Sequence, residues 1–243
     1  TEHFKLWLNR TNPILQNVKL RQAMSYAVDR EALVKSIWMG LGEVAYGPLP
    51  SASAFYCADV VKKYHPKSRD LDKAKQLLQE SGLTNVVLED TSASEQPFLN
   101  HVTAGQGMLK EAGITLNLNV MDRTKANDVF WKEKKGDTFS QRWTGRPEPD
   151  LTITEMFHSK GFYNSSWGVI SPELDKAIED ARASTDTAQR KNLYCQVQDI
   201  VIGQALDLST VFPLSLNAMT ADVTGYDVYQ DGKLHLKQVS LKK

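Results

Sequence analysis

Apolar and polar residues alternate without a break along residues 114–120, "ITLNLNV", and this predicts a half-buried strand. The same reading places strands at residues 4–9, at "NVVLEDT" (85–91) and at "DTFSQRW" (137–143). A helical period takes over between them. Asn17 is placed to cap a helix over 18–28, and Asp29 one over 30–39 that ends at Gly40. Asp70 caps 71–80, with Leu71, Ala74, Leu77 and Leu78 on one face and Gly82 as the stop. Helices are also predicted over 96–111, closed by Gly113, and over 122–134. Ser171 with Pro172 starts one that runs to Ala183, and Asp186 with Gln189 forms a capping-box start for one that runs to Ala205. "LDLSTVFPLSL", "YDVY" and "KLHLKQVSL" are short strand candidates near the end. Helices and strands alternate throughout, which is an α/β or α+β pattern.

The chain has 243 residues, enough for a sizeable core in one large or two small domains. Lys plus Arg balance Asp plus Glu at 29 each, so no basic field speaks for nucleic acid or a membrane anchor. No apolar run reaches membrane-spanning length, and "TEHFKLWLNR" is not a signal peptide. The two cysteines, Cys57 and Cys195, either pair in an oxidising compartment or stay as buried thiols. Two cysteines carry no framework pattern, and Cys195 suits a helix core, so two thiols is the simpler expectation. The histidines are scattered and form no metal spacing.

The sequence has no nucleophile elbow, zinc helix, phosphate loop or dinucleotide fingerprint. "AGQG" at 104–107 lies in a helical pattern and is discounted as a phosphate cradle. Glu148 and Asp150 are a candidate carboxylate pair for a hydrolase, but spacing in sequence does not make such a pair, and a turn with two solvated acids is the simpler reading. Asn9-Arg10-Thr11 and Asn164-Ser165-Ser166 match the glycosylation pattern, which arises often by chance. The segment "RWTGRPEPD" (142–150) stands apart. Such a segment is not expected to be helix, its prolines make it a poor central strand, and they stiffen a loop that carries Trp143 and Arg146. A flat apolar wall beside a guanidinium fork suits a small polar ligand, while a core tryptophan beside a surface ion-pair arginine fits the residue types equally well.

Several long motifs separate those readings. "NVKLRQAMSYAVDREALVKSIWMGLGEVAYGPLP" (17–50), "DLDKAKQLLQESG", "LKEAGITLNLNV", "SPELDKAIEDAR", "RKNLYCQVQDIV" and "VTGY" occur here in the order in which similar segments run through the oligopeptide- and dipeptide-binding proteins of bacterial ABC importers. The chain resembles the C-terminal lobe of such a two-lobed, type II periplasmic binding protein. The resemblance implies a mixed sheet flanked by helices over 1–215, with residues 216–243 returning to an absent N-terminal lobe. It implies a natural short form or a fragment without its leader. It implies a periplasmic protein or cell-surface lipoprotein, with no catalytic residue, metal or cofactor. The whole protein would close on a peptide or other small polar solute and deliver it to a membrane permease, with hinge strands near 6–9 and 208–216. The face toward the absent lobe would be apolar and pair two copies.

In the family the loop matching 143–150 faces the interlobe cleft and its tryptophan lines the ligand site. That implies ligand contacts from Trp143, Thr144, Gly145 and Arg146, with Tyr46, Phe162 and Tyr163 as weaker candidates. Many peptide-binding members place an acid near the position of Arg146 to meet a peptide ammonium. Arginine there would repel an ammonium and favours a ligand carboxylate or an acid from the other lobe. A hydrolase or a protein-interaction domain remain as alternatives.

Overall fold

The computed structural model describes residues 2–146, 148–165, 171–228 and 235–242. The order is β1 (Glu2–Leu8), α1 (Pro13–Gln16), α2 (Val18–Ala27), α3 (Arg30–Ser36), β2 (Gly42–Val44), α4 (Ala58–Tyr64), α5 (Leu71–Glu80), β3 (Val87–Ala93), α6 (Phe98–Glu111), β4 (Thr115–Met121) and α7 (Arg123–Asn127), which runs into a π-helical turn (Asp128–Lys132). Then come β5 (Thr138–Thr144), α8 (Pro149–Phe157), α9 (Phe162–Ser165), α10 (Pro172–Ala183), α11 (Thr187–Gly203), β6 (Leu208–Pro213), β7 (Val223–Thr224) and β8 (Ser240–Leu241). The main sheet has six strands in the order β2-β6-β1-β5-β3-β4. It is mixed: β3 runs parallel to β4 and β5, whereas β1 runs antiparallel to β5 and β6.

Helices cover both faces of the sheet, so β1 is buried on both sides. Leu6 and Leu8 join a core with α2, α5 and α6, and Trp7 joins a second core with α8, α10 and α11. The helices present the expected stripes. Leu20, Ala23, Met24 and Ala27 are buried on α2, and Leu174, Ala177, Ile178 and Ala181 on α10. The expected caps form: Asn17 accepts from the Lys19 and Leu20 amides, Asp29 from Ala32, Asp70 from Lys73 and Ser171 from Leu174. Asp186 caps the Gln189 amide, but Gln189 turns its side chain to the Ser184 hydroxyl, so only half of the capping box is made.

Several expectations are corrected. The helix over 30–39 stops at Ser36, because Met39 and Gly40 take φ of 54° and 75° and turn the chain toward β2. The helix over 122–134 is one α-helical turn followed by the π turn. The exclusion of helix from 142–150 fails at its end. Pro149 occupies the first turn of α8, where its missing N–H costs nothing, and Glu148 caps the helix through the Asp150 amide. Residues 226–228 form no strand, and of 233–241 the described strand is Ser240–Leu241, paired with Val223–Thr224. Residues 229, 233 and 234 lie outside the described residues.

Charges buried in this frame are met individually. Lys5, with no exposed side-chain surface, donates to Asp207 Oδ2 at 2.8 Å, with Nζ 3.8 Å from the centre of the Trp7 ring. Arg30 donates to the carbonyls of Ser25, Ala45 and Ser209, and Arg21 to those of Leu15, Gln16, Gln204 and Ala205. Asp90 on β3 has no cation partner among the described residues. It accepts from the Ser92 and Thr138 hydroxyls, and burial pushes its pKa up to about 6.

Asp90 generates a pH-dependence. Its folded pKa lies above the ordinary value of 3.8, so the folded state binds the proton more tightly. Its contribution is full below pH ~4 and is lost as pH rises through ~6. Asp90→Asn is expected to stabilise the protein at pH ~7.5 by up to about 3 kcal/mol and to give little gain near pH ~4. Urea melts at the two pH values check this, and an equal gain at both would show that charge is not the cause. Gly105 lies inside α6 beside an apolar cavity of about 30 Å³, and a Cβ there meets nothing within 4 Å. Gly105→Ala should stabilise by about 0.5–1 kcal/mol in the same melts.

Candidate functional site

His3 on β1 lies directly opposite Trp143 on β5, and the His3 ring stacks on Phe212 of β6 with centroids 4.4 Å apart. These three side chains floor a cavity of about 180 Å³. Pro48, Leu49, Pro50, Ala52 and Ser53 line one side of it, and Gly145, Arg146, Pro149 and Thr152 line the other. The cavity therefore sits where β1 begins and β5 ends, at one margin of the sheet.

The Arg146 side of the cavity is built by the start of α8. Thr152, in its first turns, accepts from the Arg146 amide at 3.1 Å, which folds the loop back over the helix. Glu148 and Asp150 are the acids nearest Arg146 in sequence, and each is bound to a different arginine. Glu148 accepts from Arg190 of α11, and Asp150 from Arg182 Nε of α10 at 3.1 and 3.2 Å. They cap and anchor α8 rather than form a free turn, although Glu148 remains exposed. They do not pair with Arg146. The Arg146 side chain is exposed and makes no ion pair among the described residues. Pro147, the other stiffening proline, lies outside the described residues.

Trp143 is half-buried between the cavity and an aromatic cluster. One part of it lines the cavity, and the rest packs against Tyr163 and Trp7, with centroids 4.7 and 6.1 Å away. Among the described residues its indole N–H is buried without a hydrogen-bond partner, as are both ring nitrogens of His3. Burial, reinforced by the charge of Lys5, lowers the His3 pKa to about 3, so the imidazole is neutral at physiological pH. The floor thus carries no charge of its own, next to one exposed guanidinium.

The other candidates fall away from the cavity lining. Thr144 is exposed at the end of β5 and does not line it. Tyr163 stands behind Trp143, in the aromatic cluster. Tyr46 stacks on His65 at 4.9 Å, with the Arg30 guanidinium 5.0 Å from its ring. Phe162 is 65% exposed and meets Tyr163 edge-on. The sequence reading missed His3, Phe212 and the Pro48–Ser53 wall, which only strand register brings together. Asn9 and Asn164 are buried, with 8% and 2% exposure, so neither presents a glycosylation site; Ser166 lies outside the described residues. Among the described residues no cluster could hold a metal ion, and no helix is long and apolar enough to cross a membrane.

The two cysteines are bonded to each other, against the expectation of two thiols. Cys57 ends the loop that continues from the Pro48–Ser53 wall, and Cys195 lies on α11. The loop is pinned to α11 without the bond as well. Lys191 Nζ donates to the carbonyls of Ala54 and Tyr56, and Gln198 donates to Phe55 O and accepts from the Cys57 amide. The loop's placement is therefore over-determined. Reduction is expected to lower stability by about 2–4 kcal/mol while leaving the loop docked. Thermal melts with and without reductant, read beside hydrogen exchange of residues 53–57, check both halves of that statement.

Comparisons with known proteins agree on this architecture. Residues 1–165 match the family model described as "Bacterial extracellular solute-binding proteins, family 5 Middle". The Glutathione-binding protein GsiB of Pectobacterium atrosepticum is 28% identical over 243 residues, covering 94% of this chain and 46% of that protein. A probable di/tripeptide-binding protein of Pseudomonas aeruginosa is 28% identical over 246 residues, covering 97% and 45%. The chain spans about half the length of the curated relatives it matches. The oligopeptide-binding protein AppA of Bacillus subtilis, solved with a nonapeptide, superposes with a TM-score of 0.83 at 22% identity, over 100% of this chain and 51% of that one. A dipeptide-binding protein of Pseudoalteromonas sp. SM9913, solved with Met-Leu, gives 0.83 at 22%, over 99% and 48%. The fold is that of the type II periplasmic binding proteins.

Proposed function

The chain belongs to family 5 of the bacterial extracellular solute-binding proteins, and we propose that it forms one wall of a cleft that captures a small peptide or peptide-like solute bearing a carboxylate. In this reading the solute's carboxylate meets Arg146 and its body lies on Trp143 between the walls. The observation that carries it is Arg146 itself. Its guanidinium stands at the cavity with no acid bound to it among the described residues, while both nearby acids are held by Arg182 and Arg190. A planar fork of donors suits a carboxylate and repels an ammonium.

Two relatives are named for glutathione and for di- and tripeptides, ligands that all carry carboxylates. The whole protein would hand the solute to an ABC permease, in the periplasm or at the cell surface. The disulfide accords with such an oxidising compartment. Residues 216–242 carry exposed Leu216, Met219, Val228, Leu236 and Leu241, which suits a return to a second lobe after the main sheet is complete. Enzymatic function has no support in the placement of Glu148 and Asp150.

The test uses the chain as it stands, with reduced glutathione and Met-Leu as probes in 1H–15N NMR titrations that follow the Trp143 indole and the Gly145 and Arg146 amides. The expected result is a saturable shift of these signals. Because Arg146 is exposed here, Arg146→Ala should cost about 1 kcal/mol, roughly fivefold in Kd. Arg146→Lys should recover only part of the loss, since it keeps the charge and gives up the fork. Binding of either probe with the same Kd in all three proteins would overturn the assignment of Arg146.

A further inference from the structure

The cavity's two walls are far apart in sequence, yet both end on α11. Arg190, in the first half of that helix, reaches both. Its Nη2 donates to Glu148 Oε1, the cap of the helix that carries the Arg146 wall. The same guanidinium lies 5.0 Å from the centre of the Phe55 ring, in the loop that continues the Pro48–Ser53 wall. Its own position is fixed from two further directions. Nε donates to Ala181 O near the end of α10 at 3.1 Å, and Nη2 meets the Tyr194 hydroxyl at 3.3 Å. Phe55 in turn packs on Tyr194, with centroids 5.1 Å apart.

We propose that Arg190 is a positioning residue that sets the separation of the two cavity walls, by holding Glu148 and Phe55 on one guanidinium. It does not line the cavity. It acts through the start of α8 on Arg146 and through the 53–57 loop on Ser53. Only a planar cation does both jobs, because one edge of the fork takes the carboxylate while the face stays available to an aromatic ring. Lysine would keep one contact at a time. Lys191 and Gln198 hold the Phe55 loop alone, and Arg182 holds α8 alone, so removing any of these should disturb a single wall. The consequence for the ligand rests on the cavity being the solute site, as proposed above. The coupling of the walls does not.

The experiment separates the two. In the chain without probe, amide shifts of Ser53 and Ala54 and of Gly145 and Arg146 are compared among the parent, Arg190→Met, Arg190→Lys and Glu148→Gln. Arg190→Met is expected to move both sets and Arg190→Lys to move both less, while Glu148→Gln moves chiefly the second. With reduced glutathione added, Arg190→Met should also weaken the Trp143 indole response by about threefold or more, beyond what Arg182→Met does at matched thermal stability. Shifts confined to one wall in Arg190→Met would overturn the positioning role, as would equal effects of Arg190→Met and Arg182→Met on both walls. If both walls move but no protein responds to glutathione or Met-Leu, the positioning role stands and the site reading fails.

Discussion

Lys5 sits near the middle of the sheet's central region with no exposure, and its charge has to be answered inside the protein. Asp207 answers it at 2.8 Å from the residue just before β6, and the Trp7 ring lies against the same ammonium. Desolvation pulls the Lys5 pKa down and Asp207 pulls it back, while Lys5 is the strongest influence keeping the buried Asp207 ionised. Either group alone would be an unpaired charge in the interior, which is far more costly than the pair. The first strand and the last main-sheet strand are thereby obliged to lie side by side. On the same face of β1, two residues before Lys5, His3 reaches the cavity, and two residues after it, Trp7 begins the aromatic cluster behind Trp143. The position of the cavity floor follows from that single pairing.

Much of this was open to a reader of the sequence, for local reasons. A cap needs only a polar side chain and the next three amides, and so Asn17, Asp29, Asp70 and Ser171 were identifiable. Strands with strict alternation, such as β4, were equally plain. What failed was context. Pro149 reads as a helix breaker until it is seen at the first turn. Cys57 and Cys195 are 138 residues apart, and nothing local says that they meet. His3 and Phe212 join the floor only through the register of β1 with its two neighbours. At the cavity, Trp143, Gly145 and Arg146 were legible because they lie within one short segment, whereas Tyr46 was drawn toward His65 by packing that no short motif records.

The two sides of the cavity are also built on different principles. The floor is rigid: paired strands, a stacked histidine and an aromatic cluster with little room to change. The walls are loops brought to rigid helices by side chains, chiefly from α10 and α11. A protein built this way can change its wall residues without touching the sheet. The Arg146 side chain, exposed and without an ion pair among the described residues, is at such a position.

The disulfide has a consequence for the order in which the molecule is made. Cys57 is synthesised long before its partner, and within this chain it has a single possible mate. Arg190, Lys191, Cys195 and Gln198, which receive the 53–57 loop, belong to one late helix. During vectorial delivery of the polypeptide, the wall therefore stays undocked until α11 arrives, whatever the sheet has already formed. A nascent chain arrested before residue 190 would carry a loop with a reactive thiol and nothing to close it, a handle by which unfinished molecules are chemically distinct from finished ones.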